Sequence, residues 1–203
     1  MKDEVFGVVT DLTATPPIQL IRRHRHADRR GWLVETYNRD DFVELGITTG
    51  FVRDIHSTSQ ACFTLRGLHF QASPHAEKKL IRCVRGRIFD VVVDIRKGSP
   101  TYGKWIGTEL AEHDGHQLYV PEGFAHGYLS LEPGCEVTYK SSGDYRPEFE
   151  GGLAWDDPDL GIHWPMPEGF RPIISERDGM HPPFAHFESP FEYDGRPLAL
   201  VVR

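Results

Sequence analysis

Thiols, long apolar runs and long helical repeats are all scarce in this chain. Its three cysteines, Cys62, Cys83 and Cys135, are widely spaced and form no CxxC pair. Neither a disulfide framework nor a thiolate zinc site is expected, and free thiols in a reducing cytoplasm are. No segment approaches the ~20 consecutive apolar residues of a membrane-spanning helix, and no apolar leader opens the chain. A soluble, cytoplasmic protein with no membrane partner is the expectation. A cationic surplus is missing as well. The formal net charge of −7 argues against a nucleic-acid surface, which concentrates Lys and Arg on one face, although it leaves room for a local cationic pocket holding a small phosphate ligand.

What is present in quantity is turn chemistry: 15 prolines and 20 glycines in 203 residues favour many short elements over a helical bundle. Residues 1–17 read as an edge strand or arm ending at Pro16-Pro17, and Ile18-Gln19-Leu20-Ile21 begins a strand. The basic, His-rich run 22–30 reads as a solvated loop closing on Gly31. Residues 32–37 predict a strand, and 38–46 one short helix, capped by Asn38 or Asp40 and stopped by Gly46. Beyond that, alternating or β-branched segments predict strands over 51–57, 68–71, 80–84, 87–95, 104–110, 117–120, 127–131 and 136–140. Strands this short and this regularly spaced indicate an all-β sandwich, jelly roll or barrel. After Tyr145 the chain is rich in Pro, Asp and Gly, and at most short helical turns are expected. No repeat or linker divides it, so a single domain over 1–203 with an irregular C-terminal wrap is the simplest organisation.

Two stretches carry polar residues inside strand-like sequence. In Arg66-Gly67-Leu68-His69-Phe70-Gln71, His69 and Gln71 share one face, and on the next strand Lys79, Ile81 and Cys83 share another. An imidazole in a polar pocket can take a proton, and a nearby ammonium can stabilise an oxyanion. Tyr139, ending a later strand, could act as an acid or simply pack its ring. Asp90 and Asp94, four apart on one strand, need partners if buried; they either orient pocket groups or pair with Arg82 and Arg96. The second stretch, Gly115 to His126, matches GxxxxxPxGxxH, the second cupin motif. The first cupin motif would place three metal ligands at His69, Gln71 and Glu77, and an amide at the second position is a poor transition-metal ligand.

In their order these residues resemble the nucleotide-sugar epimerase family typified by dTDP-4-dehydrorhamnose 3,5-epimerase. The markers are Arg30-Gly31 with Glu35, the stretch from Arg66 to Gln71, Lys79 to Gly86, Phe89 to Arg96, Gly98 to Gly103, Val120 to Gly127, Tyr139-Lys140, Asp157 to Pro165, and Ile174 to Asp178. The resemblance implies a cupin-type jelly roll (a double-stranded β-helix barrel) with short peripheral helices and an N-terminal arm. It implies epimerisation of an NDP-4-keto-6-deoxyhexose at C3, C5 or both, in deoxysugar biosynthesis, without metal or redox cofactor. His69 would be the base, oriented by Asp178; Lys79 would stabilise the enolate oxygen; Tyr139 would return a proton from the opposite face. Arg30 and Arg66 would bind the diphosphate, Glu35 would help hold the nucleotide, Arg53 would lie near the ligand, Gln71 and His126 would line the sugar pocket, and Tyr145 and Arg177 would sit at its rim. The family forms homodimers that exchange N-terminal strands, for which residues 1–37 are the candidate arm. The alternatives are a ketoisomerase using the same enediol chemistry and a metal-dependent cupin enzyme using His69, Glu77 and His126.

The chain departs from the family pattern at Leu33, Arg53, Ile55 and Asp144, where polar or aromatic residues are usual, and a substrate other than the rhamnose precursor, dTDP or another nucleotide, is compatible with that. Residues 179–203 form a tail beyond the usual end, covering either the pocket or the surface.

Overall fold

The computed structural model describes residues 18–196, 198 and 200–203; the expected strand or arm over 1–17 lies outside them. The strands are β1 (Ile18–Arg22), β2 (His26–Asp28), β3 (Gly31–Leu33), β4 (Arg53–Ser59), β5 (Leu65–Gln71), β6 (Lys79–Arg85), β7 (Arg87–Asp94) and β8 (Arg96–Lys97). They continue with β9 (Trp105–Ala111), β10 (His116–Val120), β11 (Phe124–Ser130), β12 (Cys135–Ser141), β13 (Glu150–Gly152), β14 (Phe191–Glu192) and β15 (Leu200–Val202). Among the described residues one α-helix, α1 (Arg39–Glu44), stands where the sequence predicts it. The Asn38 side chain caps it by accepting from the Asp40 N–H, which satisfies one of the orphan donors of the first turn. Among the described residues no helix is long and apolar enough to cross a membrane.

A six-stranded sheet in the order β15-β1-β10-β6-β12-β4 faces a five-stranded sheet in the order β13-β5-β11-β7-β9. This is a cupin-type jelly roll. The inner faces supply the main core, including Ile81, Ile88, Val92, Leu110, Leu118 and Val137. Alternation explains the rest of each strand. Val91 and Val93 of β7 point outward, yet they too are buried, against Leu153, Leu160 and the rings of Phe184, Phe187 and Phe191. A strand covered on both faces reads as a continuous apolar run, which is what Val91 to Val93 shows, while the buried Asp90 interrupts the apolar positions before it. On the outer face of the six-stranded sheet, Phe42 of α1 and Ile47 cover Leu80 and Tyr119. Each such side chain removed from water contributes about 1.5–3 kcal/mol.

Three expectations need correction. The strand predicted over 32–37 stops at Leu33, because it pairs only with β2 in a two-stranded hairpin that is exposed throughout. The loop predicted over 22–30 contains β2. The tail does not choose between pocket and surface. It packs aromatic rings on the five-stranded sheet, and β15 then pairs in parallel with β1, widening the other sheet.

Candidate active site

At the open side of the barrel the inner faces turn polar and enclose a cavity of about 460 Å³. On one wall, β5 and β11 set two histidines side by side, with His69 and His126 as Cα partners. Two glycines make that approach possible. Gly67 has a φ of 125°, and a Cβ there would lie 2.6 Å from the Cα of Gly127. No other residue fits without displacing backbone.

Each imidazole leans on a carboxylate. His69 Nε2 lies 2.8 Å from Asp178 Oδ1, and the Gly67 N–H donates to Asp178 Oδ2 at 3.1 Å. Burial alone would raise the Asp178 pKa; the hydrogen bond and charge of His69, the Gly67 N–H and Ser175 outweigh it and hold the carboxyl at about 2. An ionised carboxylate only accepts, so His69 carries its proton on Nε2 and its basic lone pair on Nδ1. His126 Nε2 contacts both oxygens of Asp90, at 2.9 and 3.0 Å. Asp90 is fully buried, and burial raises its pKa against the opposing pull of His126 and Lys79.

The opposite wall comes from the other sheet. Lys79, Ser141 and Arg53 occupy one row across β6, β12 and β4, and Ile81, Tyr139 and Ile55 the next inward-facing row. Glu77, just before β6, reaches over the first row. Its Oε1 lies 3.1 Å from Lys79 Nζ, and its Oε2 accepts from Arg53 Nη2 at 3.1 Å and from Ser141 Oγ. Burial raises the Tyr139 pKa and Glu77 adds to this, while Arg53 and Arg66 oppose it. The phenol therefore holds its proton at neutral pH and can donate it.

The structure brings His69, Asp178, Lys79, Tyr139, His126, Arg66 and Arg177 to this one cavity. At its rim Arg177 Nη2 pairs with Glu150 at 2.7 Å, and the Tyr145 hydroxyl donates to Glu150 at 2.6 Å while accepting from Arg177 at 3.1 Å. Gln71 is placed differently from the expectation. Its amide donates to the carbonyls of His75 and Asp144 and accepts from the Arg146 N–H, so it ties down a loop instead of lining the main cavity. Arg53 does not line the cavity and instead donates to Glu77. Arg30 and Glu35 are not brought to the cavity of their own chain: Arg30 pairs with Asp28 in the exposed hairpin, and Glu35 lies 3.5 Å from Arg23. The two aspartates divide as well, Asp90 orienting His126 and Asp94 pairing with Arg96 at 2.8 Å. Arg82 donates to Thr138.

Several residues of the site were not legible beforehand. Tyr128 hydrogen-bonds Ser57 at 2.7 Å, and burial pushes its phenol up to about 12. Glu150 enters on β13, in a stretch expected to be irregular. The signal there was Gly151-Gly152, because a Cβ on Gly151 would meet the Phe70 ring at 2.4 Å and paired glycines mark close backbone approach. His181 lies behind the dyad, its Nε2 buried without a hydrogen-bond partner and 4.0 Å from Asp178 Oδ1. Burial lowers its pKa, and the neighbouring His69 ring adds to this. The donor atoms of His69, Asp178 and His181 lie within 4.8 Å of one another, and a metal there would have to displace the dyad proton. The alternative set of His69, Glu77 and His126 is not such a group among the described residues. Its Glu77 is held by Lys79, Arg53 and Ser141, and its His126 by Asp90.

Comparison with known proteins identifies the family. The family model described as dTDP-4-dehydrorhamnose 3,5-epimerase matches residues 13–186. The chain is 43% identical over 176 residues to the dTDP-4-dehydrorhamnose 3,5-epimerase of Sinorhizobium fredii, covering 87% of this chain and 89% of that protein. Among solved structures it is similar to the Legionella pneumophila dTDP-6-deoxy-D-glucose-3,5-epimerase in complex with dTDP-4-keto-L-rhamnose. That match has a TM-score of 0.80 and 34% identity, covering 88% of this chain and 100% of that one. It is also similar to a 3'-monoepimerase from Streptomyces bikiniensis in complex with dTDP-quinovose, with a TM-score of 0.76 and 32% identity over 83% of each chain. The chain belongs to the dTDP-4-dehydrorhamnose 3,5-epimerase family of isomerases.

Proposed function

We propose that this enzyme epimerises a dTDP-4-keto-6-deoxyhexose at C3 and C5. The observation that carries the reading is the placement of a carboxylate-backed imidazole, His69, and a protonated phenol, Tyr139, on different walls of one cavity that also holds Lys79. His69 Nδ1 removes the proton beside the C4 ketone, whose carbonyl acidifies that C–H bond. Lys79 stabilises the enolate oxygen. Tyr139 returns a proton from the other face, which inverts the carbon. Arg66 and Arg177, at the cavity edge, are the cations available to the diphosphate. The test is incubation in D₂O with dTDP-4-keto-6-deoxyglucose, with GDP- and CDP-sugar counterparts as controls, followed by NMR. Deuterium at both C3 and C5 is expected. Label at C3 alone would make this a monoepimerase, and no label would sink the assignment.

The single domain over 1–203 is read as working in a homodimer. Support comes from the β2–β3 hairpin, which leaves Trp32 58% and Leu33 69% exposed and carries Arg30 away from its own cavity. In a dimer Arg30 and Glu35 would serve the partner's nucleotide. Mixing inactive His69→Ala and Arg30→Ala subunits should then restore activity, since one site in the hybrid dimer receives His69 from one subunit and Arg30 from the other; a mixture no more active than its components would rule this out.

A further inference from the structure

Lys79 is the cation of the cavity wall that faces the reacting carbonyl in the reading above, and a carboxylate lies directly against it. The Glu77 side chain is 9% exposed and Lys79 is 12% exposed. A buried carboxylate this close would cancel most of the ammonium charge, since opposite charges interact more strongly as water is excluded. Arg53 changes that balance. It sits in the same strand row as Lys79, with Ser141 between them, and it donates to the other oxygen of Glu77. A second bond, from Arg53 Nε to the Gly143 carbonyl at 2.6 Å, fixes it there. The trio of Lys79, Glu77 and Arg53 carries one net positive charge, in a wall where the nearby Asp90 is already paired with His126.

We propose that Glu77 and Arg53 act together as positioning residues for the reaction: Glu77 anchors the Lys79 ammonium at the cavity wall, and Arg53 balances Glu77 so that the lysine keeps its positive field for an oxyanion. The pair rests on the assignment of Lys79 as enolate stabiliser. Its prediction concerns charge rather than contact. Arg53→Gln leaves Glu77 to neutralise Lys79, whereas Arg53→Gln with Glu77→Gln returns the trio to one positive charge with amides of similar shape.

The experiment measures kcat and KM for solvent-deuterium exchange in Arg53→Gln, in the double variant and in Lys79→Met, with thermal unfolding of each. Arg53→Gln should lower kcat about 10-fold with KM little changed, and adding Glu77→Gln should recover kcat to within about 3-fold of the parent. A double variant that folds but is no faster than Arg53→Gln overturns the proposal. Unchanged exchange in Lys79→Met would instead refute the underlying role of the lysine, so the two failures are distinguishable.

Discussion

Two imidazole–carboxylate pairs, His69 with Asp178 and His126 with Asp90, stand at partnered positions of adjacent strands, yet their surroundings push the two carboxyls in opposite directions. Asp178 receives a backbone N–H as well as His69, and its pKa falls to about 2. Asp90 is enclosed at 0% exposure, His126 is its hydrogen-bond partner, and its pKa is raised, first of all by burial. A carboxylate that stays ionised can support an imidazolium as it forms; one whose charge is penalised by burial supports it less. The first pair is thus suited to moving a proton, and the second to holding a ring in place. Side-chain exposure agrees: 27% for His69 and 9% for His126.

The sharpest test of that division is His69→Ala, which should cut solvent-deuterium exchange beside the ketone by about 10³-fold, within the range of general-base catalysis. Asp178→Asn should follow, with about a 10²-fold loss in kcat, while Asp90→Asn should change KM more than kcat and cost about 10-fold in kcat/KM. If Asp90→Asn proves the more damaging to kcat, the distinction between the pairs is wrong. Gly67→Ala tests the backbone approach that joins them. It should reduce stability in denaturant titration by about 3 kcal/mol, as overpacking against the Gly127 backbone does, and an unaffected midpoint would mean the strands can separate freely. The smallest effect is the pH dependence of the Asp178 contribution. Its pKa is depressed in the folded state, so the stability it contributes is present above the ordinary value of 3.8 and is lost as pH falls toward about 2. The stability gap between the parent and Asp178→Asn should therefore narrow over that acid range.

Much of this was legible because strands declare themselves by a period of two. The eight strands predicted between residues 51 and 140 all form, with ends displaced by a few residues, since edge pairing and turns set the ends. His69, Lys79 and Tyr139 were identifiable as polar residues interrupting inward-facing apolar positions. Gln71 was misplaced because alternation gives a side chain its face but not its neighbours; the 72–78 and 143–146 loops, whose backbone captures its amide, have no periodic signature. Glu77 was read as one ligand of a degraded metal set, and its position one row above Lys79 and Arg53 depends on the β6–β12–β4 register. Of the four departures from the family pattern, Arg53 now has a partner and Ile55 flanks Tyr139 in the strand row. Leu33 stands on the exposed hairpin, and Asp144 is exposed, with its carbonyl holding Gln71.

By itself the sequence determined an all-β architecture, the inward set of polar residues and the chemistry they are capable of, because side-chain type and strand alternation are local properties. Only the tertiary structure decided which carboxylate backs which cation. Asp178 reaches His69 across 109 positions, and Glu77 holds Arg53 across 24. Those pairings decide which groups keep their charge, since a buried charge persists only where folding brings it a partner.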